Sequence, residues 1–297
     1  MDHTYHTPVL LDEVLSFLRP KSGGTYVDCT LGGGGHAEAV LTTLSGKGLL
    51  VGFDRDPDAI RAAGERLGAF GASVALVPHN FGDVRNRLRQ LNINEVDGFL
   101  LDLGVSSHQL DDPGRGFSFQ QEGVLDLRMD RGAGMSGREL VNTYAEEDLK
   151  RIFREYGEER MAGRIAWRIA RMREDAPIET TADLAAVVRR AVGERFILKT
   201  LARIFQAIRI EVNGELENLR RFLGDAIPLM APGGRIVVIS YNSLEDRIVK
   251  HWIREEAREG GRLSPLTKKP VTPSDTELAA NKRSRSAKLR AAERRPS

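Results

Sequence analysis

The chain has 297 residues, 41% of them hydrophobic and 29% charged, with a single cysteine. That apolar content supports a sizeable core, and one thiol excludes both a disulfide framework and a cysteine-based metal site. The net charge of +2 is unevenly spread: residues 262–297 hold ten Lys/Arg against three Asp/Glu, which puts +7 at the C-terminus and −5 on the rest. A basic tail on a mildly acidic body reads either as a solvated, partly disordered segment or as a contact for a polyanion. No apolar run reaches bilayer length, and the first ten residues lack the basic-then-apolar pattern of a signal peptide. A cytoplasmic protein without membrane association is expected.

Along the first third, short apolar runs alternate with helical patterns, the signature of a parallel sheet covered by helices. Strands are expected at Thr25–Cys29, Leu49–Phe53, Val74–Val77 and Gly98–Leu101, with helices at His36–Leu44, Pro57–Leu67 and Phe81–Leu91. Residues 103–135 are rich in Gly, Asp and Ser and show no period, so a functional or disordered loop is expected there. Ser136-x-x-Glu139 reads as a capping box opening a helix through about Tyr156, and Thr180-x-x-Asp183 opens another through Val192. Helices at Leu201–Val212 and Glu215–Met230 follow, then a turn at Ala231–Gly234 and a buried strand at Arg235–Ile239. The fold class is α/β: a Rossmann-like sheet over residues 1–105 and 213–297, with an inserted helical domain over 106–212.

Gly32, Gly34 and Ala37 fit G-x-G-x-x-G/A between a strand and a helix. Glycine there permits a tight turn and lets a ligand approach the backbone. Asp54 ends the next strand, 22 residues after Gly32, where an acid accepts hydrogen bonds from ribose hydroxyls. Asp28, just before the glycines, suits either an ammonium group or the cap of the following turn. These features leave a nicotinamide dinucleotide and S-adenosylmethionine both open.

A series of motifs begins at His6-Thr7-Pro8-Val9-Leu10-Leu11-Asp12-Glu13 and continues through Gly33-Gly34-Gly35-His36 and Asp54-Arg55-Asp56-Pro57. Its most specific members are Leu100-Leu101-Asp102-Leu103-Gly104-Val105-Ser106-Ser107 and Gln109-Leu110-Asp111-Asp112-Pro113. Phe205-Gln206-Ala207-Ile208-Arg209 and Ser243-Leu244-Glu245-Asp246-Arg247 follow, and Arg283–Arg290 closes the series. In these motifs, over nearly its whole length, the sequence resembles the bacterial 16S ribosomal RNA cytosine-N4 methyltransferases of the MraW, or RsmH, family. The resemblance implies S-adenosylmethionine as methyl donor and N4 of a decoding-centre cytidine as acceptor. By motif match it implies a cofactor site of Gly33, Gly34, Gly35, His36, Asp54, Phe81, Asp102 and Gln109. The partner implied is 16S rRNA in the small (30S) ribosomal subunit; a homodimer is open. Cys29 stands where the family usually has glycine, His108 where it has proline, and Asn242 where it has histidine.

The cofactor's methyl group is already activated, so alignment for in-line displacement is the main task. The N4 amine of cytosine is a poor nucleophile because its lone pair is delocalised. Asp102, at the carboxyl edge of the sheet, is the candidate to accept a hydrogen bond from it, with Asn242 and Ser106 as further catalytic candidates. Asparagine cannot take up a proton near neutral pH, which excludes a general base at that position. No His/Asp cluster has metal-ligand spacing, so no metal is expected. RNA contact is assigned to Lys282–Arg295 and to a stripe of Arg160, Arg164, Arg168 and Arg171, for which a solvated face balanced by Glu158 and Glu159 is the alternative.

Overall fold

Helix α1 (Leu11–Leu18) precedes the alternation that the sequence pattern foretells. In the computed structural model, which describes residues 8–258 and 260–296, the order runs β1 (Thr25–Asp28), α2 (Gly35–Leu44), β2 (Leu49–Phe53), α3 (Pro57–Leu67), β3 (Val74–Val77), α4 (Val84–Gln90) and β4 (Val96–Asp102). His6 and Thr7, which start the N-terminal motif, lie outside the described residues. Asp56 caps α3 by accepting from the Asp58 N–H at 3.1 Å, with Pro57 at the first helical position, where its missing N–H costs nothing.

The chain divides into two units. One comprises residues 1–104 and 216–297; the other is Val105–Glu215. The second unit is helical: α5 (Ser107–Asp111), α6 (Gly137–Thr143), α7 (Glu146–Glu155), α8 (Ala162–Asp175), α9 (Thr181–Val192) and α10 (Ile197–Asn213). Its own core gathers Leu149, Phe153, Ile165, Leu184, Val188 and Ile204. The single helix expected over Ser136–Tyr156 is two. Tyr144 is extended (ψ 143°) and its hydroxyl donates to Glu211 at 3.0 Å, so the chain turns and lets both α6 and α7 meet α10.

The glycine-rich segment before α6 is not a loose loop. The buried Arg115 guanidinium donates to the carbonyls of Arg128 (3.2 Å) and Met129 (2.8 Å). Asn213 fastens the same stretch from α10, donating to Leu127 O at 2.7 Å and accepting from Met129 N at 3.0 Å. Polar side chains here supply the backbone partners that a ladder or helix would otherwise give.

The first unit is completed by α11 (Glu215–Leu229), β5 (Met230–Ser240), α12 (Ser243–Glu256), β6 (Leu263–Pro265), α13 (Asp275–Ala280) and β7 (Lys288–Arg294). The seven-stranded sheet has the order β3-β2-β1-β4-β5-β7-β6, with β1 to β5 parallel and β7 antiparallel to both its neighbours. The expected turn at Ala231–Gly234 is a bulge within β5. Pairing jumps from Val96–Met230 to Gly98–Arg235, and Gly233 takes φ 77°. The order reverses between β1 and β4, and their carboxyl ends are where ligands bind in such sheets.

The basic C-terminus is not a disordered tail. Leu289, Ala291 and Ala292 of β7 are buried inside the sheet. Its charges are largely taken up locally: Arg290 Nε meets Asp246 at 2.6 Å, Glu293 pairs with Arg235 at 2.8 Å, and Arg295 donates to Ser264 at 3.1 Å. Arg294 donates to the Met230 carbonyl. Among the described residues of this stretch, Arg262, Lys268, Lys269, Lys282, Arg283 and Arg285 are exposed basic residues. No described helix is long and apolar enough to cross a membrane.

Candidate active site

Three strand ends bring three carboxyl groups to the switch point. Asp28 ends β1, Asp102 ends β4, and Asp54 directly follows β2. Thr30 ties two of these ends together, because its Oγ1 accepts from the Asp102 N–H at 2.6 Å while its own N–H donates to Asp28 Oδ1 at 3.0 Å. Asp28 therefore does cap the turn, as one of its two readings required.

The glycine loop is fastened to Asp54. Gly32 takes φ 52°, a left-handed conformation that suits glycine, and its N–H donates to Asp54 Oδ2 at 2.9 Å. The other carboxylate oxygen accepts from Asp56 N at 2.9 Å. Gly34 (φ 79°) sits at the N-cap of α2, and a side chain on Gly35 would reach within 2.7 Å of Pro8. Gly33 lies between Gly32 and Gly34, partly exposed. The loop is thus a rigid backbone surface over the carboxyl edge.

Burial acts on Asp28 and Asp54. Desolvation pushes Asp28 up to about 6, partly opposed by the positive field of His36. Desolvation also raises Asp54. Such a cluster gains by meeting cationic and hydroxyl groups. These donors and acceptors fit S-adenosylmethionine: Asp54 would take the ribose hydroxyls, Asp28 the ammonium, and the glycine backbone the carboxylate.

Asp102 is held on both oxygens. The Tyr241 hydroxyl donates to Oδ1 at 2.9 Å. His36 Nε2 donates to the Val9 carbonyl at 3.0 Å, which turns Nδ1 toward Asp102 Oδ2 at 3.7 Å. His36 is buried, so the structure makes it a support for Asp102 and Asp28 rather than an exposed contact. Burial and the adjacent Asp102 charge hold the Tyr241 phenol far above its ordinary range, so it stays a donor. Tyr241 lies just after β5, 139 residues from Asp102, and no local pattern marks it as a site residue.

The remaining candidates are placed as follows. Phe81 is half-buried, edge-to-face on Phe222 with centroids 5.9 Å apart, and Phe222 stands likewise on Phe99 at 5.2 Å. Core packing thus fixes the Phe81 ring while part of it stays exposed. Asn242 is the N-cap of α12: its Oδ1 accepts from Leu244 N and Glu245 N, both at 3.0 Å. The buried Glu245 carboxylate returns to Tyr241 N at 3.0 Å. The oxygen that would face a substrate is therefore engaged by the helix. Ser106 and Gln109 belong to the helical unit and cap α5 reciprocally. Ser106 Oγ accepts from Gln109 N at 3.2 Å, and Gln109 Oε1 from Ser106 N at 3.1 Å. The Ser106 hydroxyl, a further catalytic candidate, is thus engaged as a helix cap. Among the described residues no group of three His, Cys, Asp or Glu side chains is arranged to hold a metal ion.

The chain is 52% identical to the ribosomal RNA small subunit methyltransferase H of Pelobacter propionicus, covering 97% of this chain and 98% of that protein. It is 49% identical to the enzyme of the same name from Geotalea daltonii (97% and 98% covered) and 47% to that of Geobacter sp. (99% and 100%). The pattern of the MraW methylase family matches residues 3–295, and the chain belongs to that family.

Proposed function

We propose that the protein methylates the exocyclic N4 amine of a decoding-centre cytidine in 16S rRNA of the small ribosomal subunit, in the bacterial cytoplasm. The observation that carries this reading is the Asp102 carboxylate at the end of β4, held by Tyr241 on one oxygen and flanked by His36 on the other. The donor is S-adenosylmethionine, which supplies an electrophilic methyl group on a sulfonium.

The chain's own work is to bind, align and accept a hydrogen bond. Asp54 would hold the ribose and Asp28 the ammonium, and the N–H groups of the rigid glycine loop would meet the cofactor's carboxylate. Tyr241 donates to one oxygen of Asp102 and His36 flanks the other, which fixes the orientation of the carboxyl group. A carboxylate accepting from the cytosine amine would draw its N–H bonds aside and turn the nitrogen lone pair toward the methyl group. Charge-assisted hydrogen bonds of this kind are roughly twice as strong as neutral ones. Transfer would exchange the sulfonium C–S bond for the new C–N bond, releasing the neutral thioether, and the amine's surplus proton would pass to solvent. The target base must be unstacked to reach such a site.

The test is direct. The protein and labelled S-adenosylmethionine are incubated with small subunits from cells lacking the modification, and the nucleosides are identified by mass spectrometry. N4-methylated cytidine, absent with an Asp54→Ala control, is the expected product. Label on another nucleoside would overturn the assignment.

A further inference from the structure

We infer that the outward face of α8 is a docking surface for single-stranded ribosomal RNA, with Trp167 as a stacking platform for an unpaired base. The inference rests on the proposed rRNA substrate and adds to it a specific contact surface.

Helix α8 is amphipathic. Ala162, Ile165, Ala166 and Ile169 are buried in the helical unit, while Arg164, Trp167, Arg168 and Arg171 recur at i, i+3, i+4 and i+7 on the other side. That spacing puts the four on one face. Trp167 is 44% exposed, an uncommon place for so large an apolar ring. The Arg168 guanidinium lies over it at 5.4 Å from the ring centroid, and its Nε is buried with no hydrogen-bond partner. An indole fixed by a stacked cation offers a flat π-face, the device by which proteins hold unpaired bases without reading their sequence.

Glu159 does not balance the charge on this face. Glu159 is turned inward: it is 5% exposed, pairs with Arg203 at 3.3 Å and accepts from Met161 N at 2.9 Å. Arg171 meets Glu174 at 3.3 Å, but both side chains are 62% exposed, and such a pair yields readily to a phosphate. No ion pair involving Arg160, Arg164 or Arg168 is present among the described residues. An aromatic platform set in uncompensated positive charge fits a strand that carries bases and phosphates together, and it fits neither an apolar peptide nor a regular duplex.

The experiment uses the full-length protein and small subunits lacking the modification. Trp167→Ala and, separately, Arg164→Glu are compared with wild type for methyl transfer, for S-adenosylmethionine affinity by calorimetry and for thermal unfolding. A stacked base is worth about 1–3 kcal/mol, so the Michaelis constant for subunits is expected to rise at least about fivefold in Trp167→Ala. Arg164→Glu is expected to raise it as well and to flatten its salt dependence. Cofactor affinity and melting temperature stay at wild-type values, and Trp167→Phe retains most of the binding. A benzoylphenylalanine placed at Arg164 is expected to cross-link to 16S rRNA. Unchanged subunit kinetics in both variants, or cross-links to ribosomal protein only, would overturn the docking surface while wild-type activity leaves the proposed reaction standing. Absence of transfer by wild type itself would instead remove the proposed reaction, and cross-linking then judges the surface alone.

Discussion

The Tyr241 hydroxyl donates to Asp102 Oδ1 at 2.9 Å, joining the ends of β5 and β4 at the switch point. A phenol so placed orients the carboxylate and remains protonated at any working pH. Tyr241→Phe keeps the ring and removes only the donor. A hydrogen bond to a charged group is worth about 1.5–3 kcal/mol, so the single-turnover rate at saturating S-adenosylmethionine is expected to fall roughly 10- to 150-fold. Cofactor affinity, measured by calorimetry, is expected to stay within about twofold. Equal losses in rate and cofactor binding would make Tyr241 a cofactor contact instead.

Asp54 joins the cofactor site to the glycine loop. Its two oxygens accept from Gly32 and Asp56, and each oxygen keeps a second lone pair for a ribose hydroxyl. Asp54→Ala is expected to weaken S-adenosylmethionine binding by roughly 10- to 150-fold. Asp54→Asn, which keeps one oxygen acceptor, should lose less. Calorimetric titration measures both, and unchanged affinity would remove Asp54 from the site.

How much of this was legible in the sequence differs by range. Strands β1 to β4, the glycine loop and Asp54 are written in local runs of apolar residues and a fixed spacing, and all four strands form where the pattern puts them. Strand β7 was not legible, because four of its seven residues are charged. Partners remote in sequence, Asp246 for Arg290, Arg235 for Glu293 and Met230 for Arg294, let that stretch enter the sheet. Tyr241 was hidden for the same reason: its meaning lies in a contact across the sheet. Ser106-x-x-Gln109 and Asn242-x-x-Glu245 carry the local signature of helix caps, and that structural reading accounts for the hydrogen bonds their side chains make.

Asp28 makes cofactor binding pH-dependent. Desolvation raises its ligand-free pKa from the usual 3.8 to about 6. A raised acid favours the protonated form, so stability of the ligand-free protein falls as pH rises through that window. An ammonium beside Asp28 lowers its pKa again. Binding at pH 6 is therefore expected to release a proton, seen as a calorimetric enthalpy that varies with the ionisation enthalpy of the buffer. Affinity should rise from pH 5 to pH 7 and then level off. Asp54 is raised too, so the Asp28→Asn variant assigns the effect: it should abolish most of the release.

Removal of the C-terminus tests the sheet more than RNA binding. Truncation after Gly261 deletes β6 and β7, exposes the whole edge of β5, and strips Asp246 of Arg290. It also removes the buried Leu289, Ala291 and Ala292 from the sheet. The truncated chain is expected to aggregate or to unfold well below wild type in a thermal scan. A folded, soluble truncation with only a raised Michaelis constant for RNA would restore the segment as a tail.

Asn242 separates capping from catalysis. Its Oδ1 accepts the N–H groups of Leu244 and Glu245, and losing such a cap costs about 0.5–2 kcal/mol. Asn242→Ala is expected to lower the melting temperature by a few degrees. Asn242→Asp caps equally well and should restore it, adding favourable charge at the helix N-terminus. Because α12 also holds Glu245 against Tyr241 N, loss of the cap reaches Asp102 through Tyr241, and activity should follow the cap. An active Asn242→Asp beside a weakened Asn242→Ala is the expected pattern. If Asn242→Asp is stable but inactive, the amide group itself meets the substrate, and Asn242 belongs in the reaction rather than in the helix.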